Sequence, residues 1–235
     1  MKAVILAAGY ATRLYPLTID KPKPLLPVGG RPMIDWIVDK INEVPEIDGI
    51  TVVTNDKFYE TFKQWAEGKE NITVLNDGTT SNENRLGMLG DIAFALKQIK
   101  DDAVLVIGGD NLFKFDLNPL VNLSKEKNAP AVPAIELNDI NEARKMGIFC
   151  IDDNKKIIDF EEKPQNPKSM LASACCYMLN SEAIKVITEF KGSGQYHLIT
   201  LLMENMDVYV QQYKEEWIDI GSHEQYKHVN ELYKK

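Results

Sequence analysis

Short apolar runs alternate with stretches of helical apolar spacing through the first half of the chain. The runs contain β-branched side chains and are typical of strands buried on both faces of a parallel sheet. The segments between them place apolar residues three and four positions apart, which indicates amphipathic helices. This order predicts an α/β fold with a parallel sheet and helices on its faces. The predicted strands are Ala3–Ala7, Ile50–Thr54, Ile72–Leu75 and Ala103–Ile107, and the predicted helices are Met33–Val44, 56–67 and 87–97.

The second half of the chain continues with a helix and then several closely spaced strands. A turn at residues 152–154 joins two of these strands, and Ser222 with Gln225 forms a capping box before the last helix. No Ser/Gly-rich linker separates the halves, so we expect a single domain over residues 1–235 with a mixed, mostly parallel sheet. The predicted helices are Leu117–Glu126, Ser181–Phe190, 197–204 and His223–Leu232, and the predicted strands are Ala131–Leu137, Met146–Ile151, Ile157–Glu161, Ala172–Leu179 and Val208–Tyr213.

Composition narrows the class of protein. The 235 residues are 44% hydrophobic and carry a net charge of -8, which argues against a nucleic-acid partner and against an anionic membrane surface. No apolar run approaches the length of a transmembrane helix, and the apolar start is too short for a signal peptide. Three cysteines, an odd number, fit a reducing compartment, so we expect a cytoplasmic protein. The three histidines form no ligand pair and are interpreted as structural or surface residues.

The loop after the first predicted strand combines small residues with positive charge. Residues 7–9 read AAG, so backbone N–H groups can approach a ligand closely. Arg13 follows in the same loop, and Lys21 and Lys23 stand among prolines. Fixed N–H donors together with mobile positive charge are what a polyphosphate requires. Neither the G-x-x-x-x-G-K-[ST] nor the G-x-G-x-x-G pattern is present.

Polar residues follow two other predicted strands. Residues 76–86 form a polar loop at the carboxyl end of the third strand, where open α/β sheets bind ligands, although a plain surface loop is the simpler interpretation. The fourth strand ends in Gly108-Gly109-Asp110-Asn111, which places a carboxylate at the mouth of the sheet. On its own this carboxylate is only moderately informative, because aspartates commonly form turns at strand ends.

Five motifs in order resemble those of the sugar-1-phosphate nucleotidyltransferases. That family has L-A-A-G-x-G-T-R-L-x-P-L-T followed by P-K-x-L-L-P, and here residues 6–18 read LAAGYATRLYPLT and residues 22–27 read PKPLLP. Residues 109–111 (GDN), 161–164 (EEKP) and 217–222 (WIDIGS) match later family motifs, and the loop at 76–87 matches the base-binding region. Ala11 replaces the second loop glycine, and if this position needs a positive φ, alanine costs about 1 kcal/mol.

The resemblance implies a Rossmann-like three-layer sandwich, the nucleotidyltransferase fold, with a nucleotide-binding half at about 1–115 and a sugar-phosphate half at about 116–235. It implies an enzyme that joins an NTP to a sugar-1-phosphate and releases pyrophosphate, with Mg²⁺ as cofactor. By the same resemblance, Arg13 stabilises the departing pyrophosphate, Lys23 neutralises charge near the α-phosphate, and Asp110 and Asp219 bind Mg²⁺. The implied nucleotide-binding residues are Leu6, Ala8, Gly9, Arg13, Asn76, Leu86 and Gly87.

The acceptor side is also implied by the resemblance. Lys163 would hold the acceptor phosphate and steer it, and Glu162 would accept hydrogen bonds from sugar hydroxyls. Residues around Gly147 would offer backbone contacts, and Tyr177 would line the pocket. The acceptor phosphate is already an anion, so the reaction requires charge neutralisation and in-line placement and needs no general base.

Substrate identity stays open at this point. Glucose-1-phosphate with dTTP is the first expectation and UTP the second, because a 5-methyl group changes binding by only about 1–3 kcal/mol. Phosphocholine with CTP is an alternative that would need an aromatic cage. A glycosyltransferase could use a related fold and an acidic metal motif, but it would not need Arg13 and Lys23. A catalytically inactive binding module is the remaining alternative, and a homo-oligomer is neither predicted nor excluded.

Overall fold

A ten-stranded sheet forms the centre of the molecule. The computed structural model describes residues 1–194 and 196–234. Strands from both halves of the chain join this one sheet, and two separate two-stranded sheets lie beside it. The strands of the central sheet are β1 (Lys2–Leu6), β4 (Gly49–Thr54), β5 (Ile72–Asn76), β6 (Ala103–Gly108), β8 (Ala131–Glu136), β9 (Gly147–Ile151), β10 (Ile157–Glu162), β11 (Leu171–Ser173), β12 (Cys176–Asn180) and β13 (Tyr209–Tyr213). The small sheets pair β2 (Pro27–Val28) with β3 (Arg31–Pro32), and β7 (Asn111–Phe113) with β14 (Trp217–Asp219).

The sheet is mixed, and its directions differ between the two halves of the chain. Its order is β10-β9-β11-β8-β12-β6-β1-β4-β5, with β13 pairing alongside β8. Strands β5, β4, β1 and β6 are all parallel, as expected from the alternating pattern of the first half. Only β12, β11 and β10 run opposite to β1, so the sheet is mostly parallel. The carboxyl ends of β1, β4, β5 and β6 therefore meet at one edge.

Helices cover both faces of the sheet and complete three layers. In β1, Ala3 and Ile5 pack into one buried cluster and Val4 packs into the other. Helices α1, α2 and α4 contribute to the first cluster, and α3, α6 and α7 contribute to the second. The prediction of a Rossmann-like three-layer sandwich is confirmed. The helices are α1 (Met33–Asn42), α2 (Tyr59–Ala66), α3 (Met88–Leu96), α4 (Asn118–Lys127), α5 (Ile140–Ala143), α6 (Ser181–Glu189), α7 (Leu198–Asn205) and α8 (His223–Leu232).

One predicted strand is two strands in the structure. The apolar run Ala172–Leu179 was expected to be continuous, but it divides into β11 and β12 around Ala174 and Cys175. Strand β11 pairs with β8 and β9, whereas β12 pairs mainly with β6. The periodicity of apolar residues does not reveal this break, because both short strands are apolar. The break is visible only in the strands with which each one pairs.

The final helix begins as predicted. The Ser222 Oγ accepts a hydrogen bond from the Gln225 N–H at 3.2 Å, and the Gln225 side chain accepts one from the Gly221 N–H at 2.9 Å. This is a capping box in which the glutamine reaches one residue before the cap. Among the described residues, no helix is both long and apolar enough to cross a membrane.

The loop between β1 and β2 contains a strained residue at the position where the resemblance expects glycine. Ala11 has φ 46° and ψ 41°, in the left-handed region. Its carbonyl accepts hydrogen bonds from the Leu14 N–H at 3.0 Å and the Thr18 Oγ1 at 2.8 Å, which hold the turn. Alanine is less favourable than glycine in this conformation because its Cβ approaches the following carbonyl oxygen.

We predict that Ala11→Gly stabilises the protein by about 1 kcal/mol, because glycine adopts the left-handed conformation without this steric conflict. Urea unfolding followed by circular dichroism measures the change. Ala129→Gly is the matched control: Ala129 is also a loop alanine, but it does not have a positive φ, so the substitution should destabilise. Equal effects of the two substitutions would contradict the prediction.

Candidate active site

Two cavities adjoin at the carboxyl edge of the parallel strands and share a pair of aspartates. The first, of about 470 Å³, is called the loop cavity because the loop after β1 forms much of its wall. The second, of about 340 Å³, is called the strand cavity because residues of β9, β10, β11 and β12 line it. Asp110 and Asp219 line both cavities. A molecule in one cavity can therefore contact a molecule in the other across these two side chains.

Local packing brings the two aspartates together from distant parts of the chain. Asp110 follows β6, and the Gly109 N–H bonds to the Leu6 carbonyl at 2.8 Å, which fixes the end of β6 beside β1. A Cβ at Gly109 would lie 2.8 Å from that carbonyl oxygen, so the approach requires glycine. Asp219 pairs with Asn111 in the small sheet formed by β7 and β14. That small sheet therefore positions Asp219 beside Asp110.

Lys23 lies between the two carboxylates. Its Nζ is 2.7 Å from Asp110 Oδ2 and 3.4 Å from Asp219 Oδ1. The lysine is only 7% exposed, and the turn of residues 23–25 that carries it lies between prolines. Burial and repulsion from Asp110 raise the pKa of Asp219, while the charges of Lys23 and Arg13 act in the opposite direction. The lysine thus offsets a carboxylate repulsion that would otherwise weaken the site.

The aspartate pair fits a hard divalent cation. Both side chains remain partly open, at 41% exposure for Asp110 and 54% for Asp219, and they already share one positive charge. Carboxylate oxygens are suitable Mg²⁺ ligands, and water or substrate oxygens would complete the octahedral shell. Within residues 1–194 and 196–234, no group of three or more His, Cys, Asp or Glu side chains could hold a metal. A metal held by these two carboxylates would therefore need further oxygen ligands from other groups, such as water or substrate.

The loop after β1 presents both backbone and charge to the loop cavity. Leu6, Gly9 and Arg13 line it, and nothing lies within 4 Å of the place where a Gly9 side chain would begin. Arg13 is exposed, whereas Leu14 beside it is buried and anchors the turn. Ala8 does not line the cavity. It is 5% exposed, and its carbonyl accepts a hydrogen bond from Asn55 Nδ2 at 2.9 Å.

The loop after β5 reaches the cavity through residues that the sequence analysis did not select. Asn76, Leu86 and Gly87 are absent from the cavity wall, and Asn82 and Arg85 line it instead. The Asn76 side chain is engaged elsewhere, donating to Asp56 and accepting from the Gly78 N–H, each at 2.8 Å. The sequence signal for Arg85 was its positive charge in a polar loop of an acidic chain.

The four residues expected on the acceptor side lie together in the strand cavity. Gly147, Glu162, Lys163 and Tyr177 all line it. Lys163 has φ 49°, a left-handed conformation in which its Nζ lies 3.4 Å from Glu162 Oε1. A Cβ at Gly147 would lie 2.8 Å from the Phe160 ring, so a larger residue would displace that ring. Strands β9 and β10 thus bring these groups to one side of the aspartate pair.

His197 also lines the strand cavity, although the sequence analysis interpreted the histidines as structural or surface residues. Its Nε2 is 3.6 Å from Glu162 Oε2, and its ring lies 4.5 Å from the Phe160 ring. The nearby His197 ring, together with the charge of Lys163, holds the pKa of Glu162 below its usual range, although burial acts to raise it. Glu162 is therefore an ionised hydrogen-bond acceptor beside the cation Lys163.

A second pair of carboxyl groups, the partly buried Asp77 after β5 and the buried Asp91 on α3, lines neither cavity. Asp91, on α3, is 8% exposed, and burial followed by repulsion from Asp77 raises its pKa to about 8. Asp77 Oδ1 accepts from the Thr79 N–H and from the Thr79 Oγ1, each at 2.7 Å. Asp77 Oδ2 and Asp91 Oδ1 are buried and have no hydrogen-bond donor among the described residues. The pair joins α3 to the start of the loop that carries Arg85.

The chain is similar to known proteins over nearly its whole length. The family model described as Nucleotidyl transferase matches residues 2–235. A Sulfolobus acidocaldarius protein, provisionally named as a mannose-1-phosphate guanyltransferase, is 32% identical over 98% of this chain and 62% of its own length. The bifunctional protein GlmU of Methanocaldococcus jannaschii is 31% identical over 81% of this chain and 43% of its own length. This chain thus spans less than two thirds of both relatives.

A solved structure has the same architecture. It is a Bacillus anthracis protein, provisionally named as a glucose-1-phosphate thymidylyltransferase and bound to sucrose. The TM-score is 0.86 at 27% identity, and the match covers 100% of this chain and 96% of that chain. The aligned region therefore includes both cavities and the shared aspartates.

The pair of Asp77 and Asp91 leads to a stability prediction. A carboxyl group whose pKa is raised by folding stabilises the folded protein most at pH values below its unfolded pKa of about 3.9. This stabilisation is lost as the pH rises towards the pKa in the folded protein. Asp91→Asn removes the titration and supplies an amide donor for Asp77. We predict that the free energy of unfolding of Asp91→Asn at about pH 8 exceeds that of wild type by at least about 1 kcal/mol. The Tm of the variant should also change less with pH than that of wild type.

Differential scanning calorimetry between about pH 5 and pH 8 measures both effects. Asp153→Asn, at an exposed turn, is the control and should leave the slope of Tm against pH unchanged. An Asp91→Asn variant with the wild-type slope would show that Asp91 is ionised in the folded protein throughout this range.

Proposed function

Because the chain belongs to the Nucleotidyl transferase family, we propose that it joins an NTP to a sugar-1-phosphate, forming an NDP-sugar and pyrophosphate. An oxygen of the acceptor phosphate attacks the α-phosphorus. The bond from that phosphorus to the bridging oxygen breaks, and pyrophosphate leaves with the electron pair. One observation carries the proposal: Asp110 and Asp219 separate a cationic loop cavity from a strand cavity that contains Glu162 and Lys163.

The loop cavity suits the nucleotide. Its wall carries the backbone near Gly9 and the guanidinium of Arg13, and we assign the departing pyrophosphate to these groups. Lys23, at the boundary between the cavities, is assigned to the α-phosphate. We place the base near the loop after β5, where Leu86 and Gly87 precede α3 and Asn76 ends β5. Leu6, which lines the cavity, would contribute backbone beside the nucleoside, whereas Ala8, assigned to the nucleotide by the motif, lies behind the wall with its carbonyl bonded to Asn55.

The strand cavity suits the acceptor. Lys163 is assigned to the acceptor phosphate, which would otherwise be repelled by the triphosphate. Glu162, kept ionised by His197, accepts hydrogen bonds from sugar hydroxyls. The backbone of Gly147 would contact the sugar, and the Tyr177 side chain forms part of the cavity wall. An acceptor held in this cavity approaches the α-phosphorus from the side opposite to Arg13, as an in-line displacement requires.

We assign Mg²⁺ to Asp110 and Asp219. Bound there, Mg²⁺ would neutralise the charge that develops on the phosphate oxygens. The residues of the chain perform the remaining tasks: Lys23 holds the two carboxylates together, and Arg13 and Lys163 bind the two anions on opposite sides. No side chain is required to remove a proton, because the attacking oxygen is already ionised.

We favour glucose-1-phosphate with dTTP, or with UTP as the next choice. Support comes from the motifs at residues 6–27 and 161–164 and from the likeness to the Bacillus anthracis protein that carries a thymidylyltransferase name. The Sulfolobus acidocaldarius relative is named for mannose-1-phosphate and guanyl transfer, so proteins similar to this chain carry different substrate names. The nucleobase therefore has to be measured.

A second candidate is transfer from CTP to phosphocholine. Phe160, Tyr177 and Trp217 all line the strand cavity, and Glu162 lies beside them. Aromatic faces and a carboxylate are groups that bind a quaternary ammonium ion. Phe149 is fully buried and lies behind Phe160, with the two ring centroids 5.5 Å apart, so it does not belong to this group. Sugar remains favoured, because Glu162 and His197 both line the cavity and can each form hydrogen bonds with hydroxyl groups.

The first prediction from the proposal concerns turnover across substrates. Pyrophosphate release should be high for one sugar-1-phosphate with dTTP or UTP when Mg²⁺ is present, and it should be lost when EDTA removes the metal. The assay pairs five nucleotides (dTTP, UTP, CTP, GTP and ATP) with several sugar-1-phosphates and with phosphocholine. High turnover only with phosphocholine would establish the second candidate, and nucleotide binding without any turnover would indicate an inactive binding module.

The second prediction concerns the aspartate pair. Asp110→Asn should lower kcat by about 10²–10³-fold, because one of the two charges assigned to Mg²⁺ is lost. Asp102→Asn is the matched control, since Asp102 is exposed and precedes β6 at the end opposite to Asp110. The control should keep wild-type kcat and the same dependence on Mg²⁺ concentration. Full Mg²⁺-dependent turnover by Asp110→Asn would refute the metal assignment.

A further inference from the structure

Arg85 contributes a positive charge to the wall of the loop cavity, in addition to Arg13 and Lys23. Its Nη1 donates to the Asn82 carbonyl at 2.9 Å, and both residues line the cavity. Among the residues that the structure describes, no carboxylate forms a salt bridge with Arg85. The side chain is exposed, in a chain of net charge -8. Its remaining N–H donors are therefore available to a ligand.

The order of strands locates Arg85 relative to the reaction. Asp110 follows β6, the loop with Arg13 follows β1, and the loop with Arg85 follows β5. Strand β5 is three strand spacings from β6 in the order β6-β1-β4-β5, or about 14 Å. The strand cavity extends from Asp110 in the other direction. A nucleotide whose α-phosphate lies near Asp110 thus has its phosphates beside β1 and its base towards β5.

The loop that carries Arg85 is held in place by its own side chains. Asn84 Oδ1 accepts hydrogen bonds from the Ser81 N–H at 3.0 Å and the Thr80 N–H at 3.2 Å. The Thr79 carbonyl accepts from the Asp56 N–H at 2.9 Å, which ties the loop to the end of β4. These bonds hold residues 79–84, the backbone that leads to Arg85, before any ligand binds. A preorganised donor discriminates between ligands better than a mobile one, because less ordering is needed on binding.

We propose that Arg85 selects nucleotides whose base has a carbonyl oxygen at pyrimidine C4 or purine C6 over those whose base has an amino group at that position. This inference rests on the proposed nucleotidyl transfer and adds which bases the site takes. A guanidinium has five N–H donors and no acceptor, so it can bond to a carbonyl oxygen but not to an exocyclic amino group. Uracil, thymine and guanine present such an oxygen, and cytosine and adenine present an amino group at the corresponding position.

UTP and CTP form the decisive pair, because their bases differ only at C4, where uracil has a carbonyl oxygen and cytosine an amino group, and at the adjacent N3, which donates in uracil and accepts in cytosine. Isothermal titration calorimetry with each nucleotide in the same Mg²⁺ buffer measures binding without requiring turnover. Wild type should bind UTP at least about tenfold more tightly than CTP. GTP and ATP make the same comparison for purines.

Two substitutions separate the base-reading role from a simple charge effect. Arg85→Gln places an amide there that can both donate and accept, so the UTP preference over CTP should fall to within about threefold. Arg85→Lys keeps a donor-only cation and should retain the preference. Arg144→Gln is the matched control, since Arg144 is an exposed arginine that likewise donates to a backbone carbonyl, that of Gln165, but lines neither cavity. A thermal melt of each variant confirms that it is folded.

The remaining outcomes overturn the proposal in different ways. Equal binding of UTP and CTP by wild type shows that Arg85 does not read the base. An Arg85→Gln variant that loses the same factor for every nucleotide shows that Arg85 contacts phosphate, and the proposed transfer reaction would stand. A wild-type protein that binds none of the nucleotides overturns both this inference and the proposed function.

Discussion

The juxtaposition of Asp110 and Asp219 around Lys23 is the constraint on which the rest of the site depends. Two carboxylates at the shared edge of both cavities repel each other, and the raised pKa of Asp219 reflects that repulsion together with burial. Lys23 can offset it because the lysine is itself 7% exposed, with its Nζ within 3.4 Å of both groups. Charge, not apolar packing, therefore defines the boundary between the cavities. A cation can occupy the position between the two carboxylates at a low cost in electrostatic free energy, and a neutral or anionic group cannot.

The two halves of the sheet supply different kinds of group to this boundary. The parallel half ends in loops, and its loop cavity is walled by backbone near Gly9 and by the cations Arg13 and Arg85. Strands β9 to β12 supply side chains directly, so Glu162 and Tyr177 project from β10 and β12. Strand positions are held by neighbouring strands, whereas the Arg85 loop is held by hydrogen bonds within itself and to the end of β4. The fold thus places loop groups on one side of the aspartate pair and strand side chains on the other.

Backbone strain is concentrated beside the two cavities. Ala11 and Lys163 both adopt left-handed conformations, at φ 46° and φ 49°, although neither is glycine. Ala11 begins the turn that leads to Arg13, and Lys163 lies where β10 ends beside Glu162. Such conformations cost about 1–3 kcal/mol each and persist where the surrounding structure requires them. Two of the four described non-glycine residues with positive φ lie at the site, and the others, Asn128 and Lys155, lie at a helix end and a strand turn.

The sequence by itself determined the α/β class, most strands, the loop with Arg13 and Lys23, and the family, because these depend on periodicity and on motifs contiguous along the chain. Tertiary structure alone decided which residues meet. It divided residues 172–179 between two strands, placed His197 against Glu162, and put Arg85 rather than Asn76 on the cavity wall. Each of these depends on contacts between segments far apart in sequence or on how one loop bonds to itself, and local residue patterns do not encode either.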